Sequence, residues 1–157
     1  MREPPRFVSS DWCRELLGVC QREDVGAVGA KILSPSGRIA GTWLYPARDR
    51  GFWQGWQGCL SEEDGYGLRL RSIQNVGALP GFCLMVRKAV FQEAGGFSPE
   101  LSGELQAVDF CLRLQQLGKL LVFDPYVEGI LFSGYREQAS AGEELFRLRW
   151  GAQVQDG

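Results

Sequence analysis

The chain has 157 residues, of which 45% are hydrophobic and 23% charged, and its formal net charge is -2. These proportions are typical of one globular domain with a sizeable core, and the charge gives no electrostatic basis for binding nucleic acid or an anionic membrane. No apolar run approaches the roughly 20 residues that span a bilayer, and the N-terminus lacks the apolar core of a signal peptide. We therefore expect a cytoplasmic protein that meets a membrane only through partners.

Histidine is absent, and the five cysteines form no CxxC pair. An odd number of cysteines without a secretion signal indicates reduced thiols, most of them packed as small core residues. Without histidine, the commonest general base and the commonest transition-metal ligand are both missing. Catalysis would have to use carboxylates, and any metal would be bound by oxygen. The sequence itself gives no metal-ligand set and no evident cofactor.

The first elements predicted in chain order are a helix and a hairpin. Residues 1–10 are expected to be a loose lead-in, with Ser10 placed to cap a helix over residues 11–22. The small apolar run Val25–Leu33 predicts a buried strand. A turn separates it from a second strand over Arg38–Leu44, so that the two form a hairpin.

Residues 45–72 are predicted to be a long irregular loop, because glycines, aromatic residues and charges follow one another there without a period. One interpretation is a poorly ordered surface insertion. The other is an aromatic-lined loop for an acceptor, in which Trp53 and Trp56 bind substrate.

The second half of the chain predicts alternating strands and helices. In order, these are strands over Ile73–Leu79 and Phe82–Val86, helices over Arg87–Ala94 and residues 103–117, strands over Leu120–Phe123 and Val127–Phe132, and a helix over residues 142–150. Asp124, which precedes a proline, is interpreted as a turn residue that closes its strand.

Asp109 lies in an apolar stretch of the helix over residues 103–117. It is either a catalytic group or a scaffold residue that pairs with Arg113 at i+4, a spacing worth about 0.2–0.5 kcal/mol. Arg113 has a second interpretation as a ligand of a donor phosphate. Glu104 is a further acid, but its place near the helix start favours a capping role.

Four segments, in this order, resemble the C-terminal, acceptor-side half of family-2 type bacterial glycosyltransferases with the GT-A fold: VGAVGAKILSPSGRIAG, VGALPGFCLMVRKAVFQEAGGFSPEL, AVDFCLRLQQLGKLLVFDPY and FRLRWG. The resemblance is best to members that build polysaccharides, and it extends from about Asp11 to Trp150. It implies an α/β fold, α+β-like as a fragment, with a mixed sheet flanked by helices. It also implies a single domain over residues 1–157 that lacks the N-terminal nucleotide-binding half.

The resemblance implies where a site would lie. Leu79-Pro80-Gly81-Phe82 corresponds to a small-residue turn beside the sugar donor, where Gly81 lets the backbone approach a ligand closely. The helix that follows carries the family's general base, but the usual base position falls on Ala107, and only Asp109 survives as an acid. The family's later histidine has no counterpart within residues 128–132. A divalent metal, Mg²⁺ or Mn²⁺, is implied only together with the missing half.

Three hypotheses for the function follow. The first is a glycosyltransferase-like domain that moves a sugar from a nucleotide-sugar to a polysaccharide or glycan acceptor and is incomplete or inactive alone. The second is a non-catalytic binding or scaffold subunit, which pairs through exposed sheet edges with a protein partner or a separate nucleotide-binding half. The third is an unrelated α+β domain, in which residues 73–94 would not form strands that lead into a helix.

Overall fold

The computed structural model describes residues 3–48, 51–133 and 141–154, and it shows a mixed sheet flanked by helices. The elements are β1 (Arg6–Phe7), α1 (Trp12–Cys20), β2 (Val25–Leu33), β3 (Ile39–Gly41), β4 (Leu44–Ala47), β5 (Gly51–Gln54), a 3-10 helix (Tyr66–Arg71), β6 (Gln74–Asn75), β7 (Met85–Val86), α2 (Lys88–Glu93), α3 (Gly103–Gln116), β8 (Leu120–Ile130) and α4 (Glu143–Trp150). The predicted α/β class with a mixed sheet is confirmed, and none of these helices is long and apolar enough to cross a membrane.

The centre of the sheet is the parallel pair formed by β2 and β8. All nine residues of β2 are buried, as its mostly small and apolar sequence predicts for a strand covered on both faces. Lys31 is the one charged residue in this strand. Its ammonium lies 3.5 Å from the carboxylate of Glu128 and donates to the carbonyl of Ser61, so the buried charge is paired.

Short antiparallel strands complete the sheet on both sides of this pair. β3 and β7 pair with β2, and β1 and β6 pair with β8. The predicted hairpin of β2 and β3 is therefore confirmed, although β3 is only three residues long. The lead-in prediction is wrong for Arg6 and Phe7, because they pair with Ile130 and Gly129 of a strand that lies far away in the sequence.

The prediction of two strands over residues 120–132 is corrected to one strand, β8, that contains a bulge. The register passes from Ala30 opposite Asp124 to Lys31 opposite Glu128, so three residues of β8 have no partner on β2. Pro125 fits here because a bulged residue needs no ladder hydrogen bond. The backbone N–H of Tyr126 donates to Asp124, which makes the local turn, and burial raises the pKa of this aspartate.

Residues 45–72 are not one irregular loop, which corrects a second prediction. β4 and β5 form an antiparallel hairpin there, and the 3-10 helix follows, while residues 49 and 50 lie outside the described residues. Phe52 is buried, and Gly51 has a left-handed φ and lies against Leu105. The hairpin is held by contacts to α3, which its own sequence does not indicate.

The remaining boundaries differ in smaller ways. The predicted strands over residues 73–79 and 82–86 shorten to the two-residue strands β6 and β7, which still lead into α2. The residue before α1 is Asp11 rather than Ser10, and it makes no capping hydrogen bond with its side chain. The helices α2, α3 and α4 lie within two residues of the predicted ranges.

The core consists of two clusters of buried side chains. One packs α1 onto the sheet through residues that include Leu16, Val28 and Ile32. The other packs α3, α4 and the β4–β5 hairpin onto the sheet, and it contains Phe110 and Phe146. All five cysteines are free, and three of them, Cys20, Cys83 and Cys111, are buried as predicted.

Candidate functional site

Helix α3 carries two buried acids, Glu104 and Asp109, which are 2% and 0% exposed. Five residues correspond to about 500° of rotation, so the two side chains leave the helix about 140° apart. They therefore reach different neighbours.

Asp109 is surrounded by hydrogen-bond donors. Its Oδ2 accepts from Ser98 Oγ at 2.7 Å and from Arg113 Nε at 3.0 Å. Its Oδ1 accepts from the indole Nε1 of Trp150 at 2.9 Å and from Arg149 at 3.4 Å. The carboxylate thus connects α3 to α4 and to the turn that follows α2.

This environment determines the ionisation of Asp109. Burial raises the pKa, but hydrogen bonds from Trp150 and Ser98 and the charge and hydrogen bonds of Arg113 outweigh burial, so the pKa lies below its usual value. A carboxylate with a lowered pKa and no exposed oxygen is a weak proton acceptor. The geometry therefore favours the scaffold interpretation.

The predicted i,i+4 pair is confirmed, with Arg113 Nη2 lying 3.0 Å from Asp109 Oδ2. The guanidinium of Arg113 also donates to the carbonyl of Ala94 at the end of α2. With these donors already engaged inside the protein, a contact between Arg113 and a donor phosphate stays a prediction without geometric support.

Gly81 lies on the other side of α3, in an exposed turn. Its backbone N–H donates to Glu104 Oε2 at 3.0 Å. A Cβ at this position would lie 3.4 Å from the methyl group of Ala107. The backbone N–H of Leu79 donates to Cys111 Sγ at 3.3 Å. The helix residues at 104, 107 and 111 therefore hold the backbone of residues 79–81.

Ala107 lies beside the Gly81 turn, but it lacks the acidic group that the resemblance implies for this position. The usual base position does face the Gly81 turn, yet a methyl group in contact distance occupies it. The carboxylate beside the turn belongs to Glu104, one helical turn earlier, where the sequence suggested only a capping role. The spacing of Glu104, Ala107 and Cys111 at i, i+3 and i+7 was the available signal for this shared face.

Burial raises the pKa of the Cys111 thiol to about 12, so it is protonated and inert at neutral pH. Its contact with Leu79 is structural.

The two predicted recognition tryptophans lie in different environments. Trp53 is 40% exposed and stacks on Tyr45 across the hairpin, with ring centroids 4.1 Å apart and planes at 17°. Trp56 is half-buried and has a left-handed φ of 65°, and its ring centroid lies 6.4 Å from that of the buried Trp43. Trp53 thus presents an accessible ring, whereas Trp56 packs largely against the core.

The hairpin is joined to the segment that leads to Gly81. Leu44 and Ala78 exchange two backbone hydrogen bonds of 2.9 and 3.1 Å. Gly77 lies against Pro46, because a Cβ at Gly77 would come within 3.0 Å of the proline ring. The aromatic pair and the Gly81 turn therefore have a fixed relation to each other.

Within residues 3–48, 51–133 and 141–154, no group of three or more His, Cys, Asp or Glu side chains is arranged to hold a metal ion. The resemblance implies Mg²⁺ or Mn²⁺ only together with the missing nucleotide-binding half, and this expectation stays a prediction.

No protein-family model matches the chain. It is similar to the uncharacterized protein y4gI of Sinorhizobium fredii, with 32% identity over 152 residues that cover 87% of this chain and 15% of that protein. It is also similar to the O-antigen biosynthesis protein RfbC of Myxococcus xanthus, with 32% identity over 119 residues that cover 73% of this chain and 9% of that protein. The chain thus spans a small part of the length of both relatives.

Proposed function

We propose that this chain is a single glycosyltransferase-type domain for polysaccharide biosynthesis, namely the acceptor-side half of a GT-A fold. It would take part in transferring a sugar from a nucleotide-sugar to a glycan acceptor. The observation that carries the proposal is the similarity to the O-antigen biosynthesis protein RfbC over 73% of the chain.

The Gly81 turn supports this role. The backbone of Gly81 is exposed and carries no side chain. Glu104 and Ala107 of α3 hold it in position on its inner side. A sugar could approach this backbone closely, as the resemblance implies for the donor sugar. The nucleotide and its divalent metal would be bound by another segment or subunit, so the isolated chain is expected to be incomplete. The proposed location is the cytoplasm, at a membrane only through partners.

The second candidate is a non-catalytic binding or scaffold subunit derived from a glycosyltransferase. It is favoured by the methyl group of Ala107 at the usual base position and by the fully engaged carboxylate of Asp109. Neither residue provides a free proton acceptor beside the Gly81 turn.

Saturation-transfer NMR with a panel of nucleotide-sugars separates the two candidates. If the first is right, the sugar protons receive saturation from the chain, whereas the nucleoside protons do not, because the nucleotide would be bound elsewhere. Gly81→Val should abolish the effect by blocking the turn, and Gly18→Val is the matched control because Gly18 lies in open space on α1. No saturation from any nucleotide-sugar would reject the first candidate in favour of the second.

A further inference from the structure

We propose that the stacked pair of Tyr45 and Trp53 is a binding platform for one sugar ring of a glycan. The identification of this glycan as the acceptor rests on the proposed function. The two residues lie directly opposite each other on β4 and β5. They form a cross-strand pair on the face of the hairpin opposite to the buried Leu44 and Phe52.

Tyr45 stacks on one face of the Trp53 indole and leaves the other face uncovered within the pair. The two ring centroids lie 4.1 Å apart, so the 40% exposure of Trp53 belongs to its outer face and edge. The face of an aromatic ring carries negative charge, and the C–H groups on one side of a pyranose ring are weakly positive. A flat sugar face therefore packs on such a ring while its hydroxyl groups stay in water.

The size of the exposed surface favours a sugar over a protein or lipid. The next pair on the hairpin, Ala47 and Gly51, is buried, and Gly55 beyond Trp53 is buried as well. Among the described residues of this part of the hairpin, the apolar surface is thus one indole ring with the half-buried ring of Tyr45 behind it. A protein or membrane contact uses a contiguous apolar patch of several hundred Å², whereas one ring matches one pyranose.

The platform is held in place before a ligand binds. A Cβ at Gly55 would lie 2.8 Å from the ring of Tyr45, so only glycine lets this ring lie flat on the strand. The buried Trp43 contacts Tyr45 edge-on at 6.1 Å. An aromatic surface that is already ordered loses little conformational entropy on binding.

The platform also has a fixed place relative to the proposed donor site. Leu44, which precedes Tyr45, is hydrogen-bonded to Ala78, three residues before Gly81. A glycan that stacks on Trp53 would therefore lie on the segment that is attached to the Gly81 turn.

Affinity electrophoresis of the purified 157-residue chain tests the platform, with a panel of bacterial O-antigen polysaccharides cast into the gels. At least one polysaccharide should retard the wild-type chain in a concentration-dependent way. Trp53→Ala should raise the apparent Kd about tenfold, and Trp53→Phe, which keeps a flat ring, should raise it less. Tyr66→Ala is the matched control, because Tyr66 is 87% exposed and lies outside the hairpin. Circular dichroism should show each variant folded like the wild type.

Three results would overturn the platform: no polysaccharide retards the wild-type chain, Trp53→Ala binds as tightly as the wild type, or nucleoside monophosphates displace the polysaccharide from Trp53. The test is distinct from that of the proposed function. Retardation that depends on Trp53, without saturation of any nucleotide-sugar, keeps the platform and rejects the transferase. Saturation that depends on Gly81, without retardation, keeps the transferase and rejects the platform.

Discussion

The two buried acids of α3 show how differently one helix can use the same chemical group. Asp109 receives its hydrogen bonds from side chains, which come from α3 itself, from α4 and from the turn before α3. Glu104 accepts the backbone N–H of an exposed glycine. Burial alone therefore does not identify a functional acid. The groups that donate hydrogen bonds to a buried acid identify the role of that acid. Side-chain donors from several elements hold the fold together, whereas a backbone donor fixes the shape of a surface turn.

The largest effect is expected when Asp109 is removed. Asp109→Ala would leave two arginines, the Trp150 indole and Ser98 without their shared acceptor, and breaking a buried ion pair costs about 3–5 kcal/mol. Urea unfolding measures this loss. Glu100→Ala is the control, because Glu100 is mostly exposed and lies 3.9 Å from Arg149, so its loss should cost less than about 1 kcal/mol. Equal stability losses for the two variants would show that the Asp109 network does not hold the helices.

A smaller loss is expected when an acid is restored at the usual base position. Ala107→Asp would bury a carboxyl group against the Gly81 turn and one helical turn from Glu104, where it would be neutral rather than charged, at a cost of about 1–3 kcal/mol. The free energy of unfolding should fall accordingly, while the matched Ala89→Asp, at an exposed position of α2, should change it little. If Ala107→Asp is as stable as the wild type, the turn has room for a base that the structure does not show.

A still smaller effect is expected at Glu104, whose carboxylate accepts the backbone N–H of Gly81. Glu104→Leu removes the acceptor of the Gly81 N–H and should cost about 0.5–1.5 kcal/mol. The amide of Gly81 should then exchange its hydrogen faster, as NMR can measure. Glu104→Gln keeps an acceptor oxygen and should protect this amide. Unchanged protection in Glu104→Leu would mean that the carboxylate does not fix the turn.

The smallest expected effect is the change with pH in the stability that the ionised Asp109 contributes. Since its folded-state pKa lies below its usual value, its contribution to stability is present above the usual pKa and is lost as the pH falls through the folded-state pKa. The difference in unfolding free energy between the wild type and Asp109→Asn should therefore narrow in acid. A difference that stays constant from neutral to acidic pH would contradict the lowered pKa.

The sequence predicts best the elements whose burial is uniform or periodic. β2 is found at its predicted residues because all its side chains except Lys31 are small or apolar, and α3 follows because its apolar residues recur at helical spacing. The bulge in β8 was missed because Pro125 indicates the end of a strand locally, whereas pairing with β2 continues the strand. The β4–β5 hairpin was missed because its stability depends on contacts with α3.

Parts of the candidate site could likewise be predicted only where the information lies in the local sequence. The resemblance identified the Gly81 turn and position 107, and the structure places them in contact distance. It could not identify Glu104, because its partner Gly81 lies 23 residues away and only the folded backbone brings them together. Trp53 was separated from Trp56 only by the hairpin register, which sets Trp53 opposite Tyr45.

The central pairing of β2 with β8 has a consequence for how the chain folds. Val25 pairs with Leu120 and Leu33 with Ile130, so the middle of the sheet closes only when segments almost a hundred residues apart meet. Contacts this distant in sequence slow folding, because the entropy of closing the loop is lost before the pairing compensates it. During synthesis, β2 must therefore wait until residues 120–130 have emerged before it gains its longest neighbour.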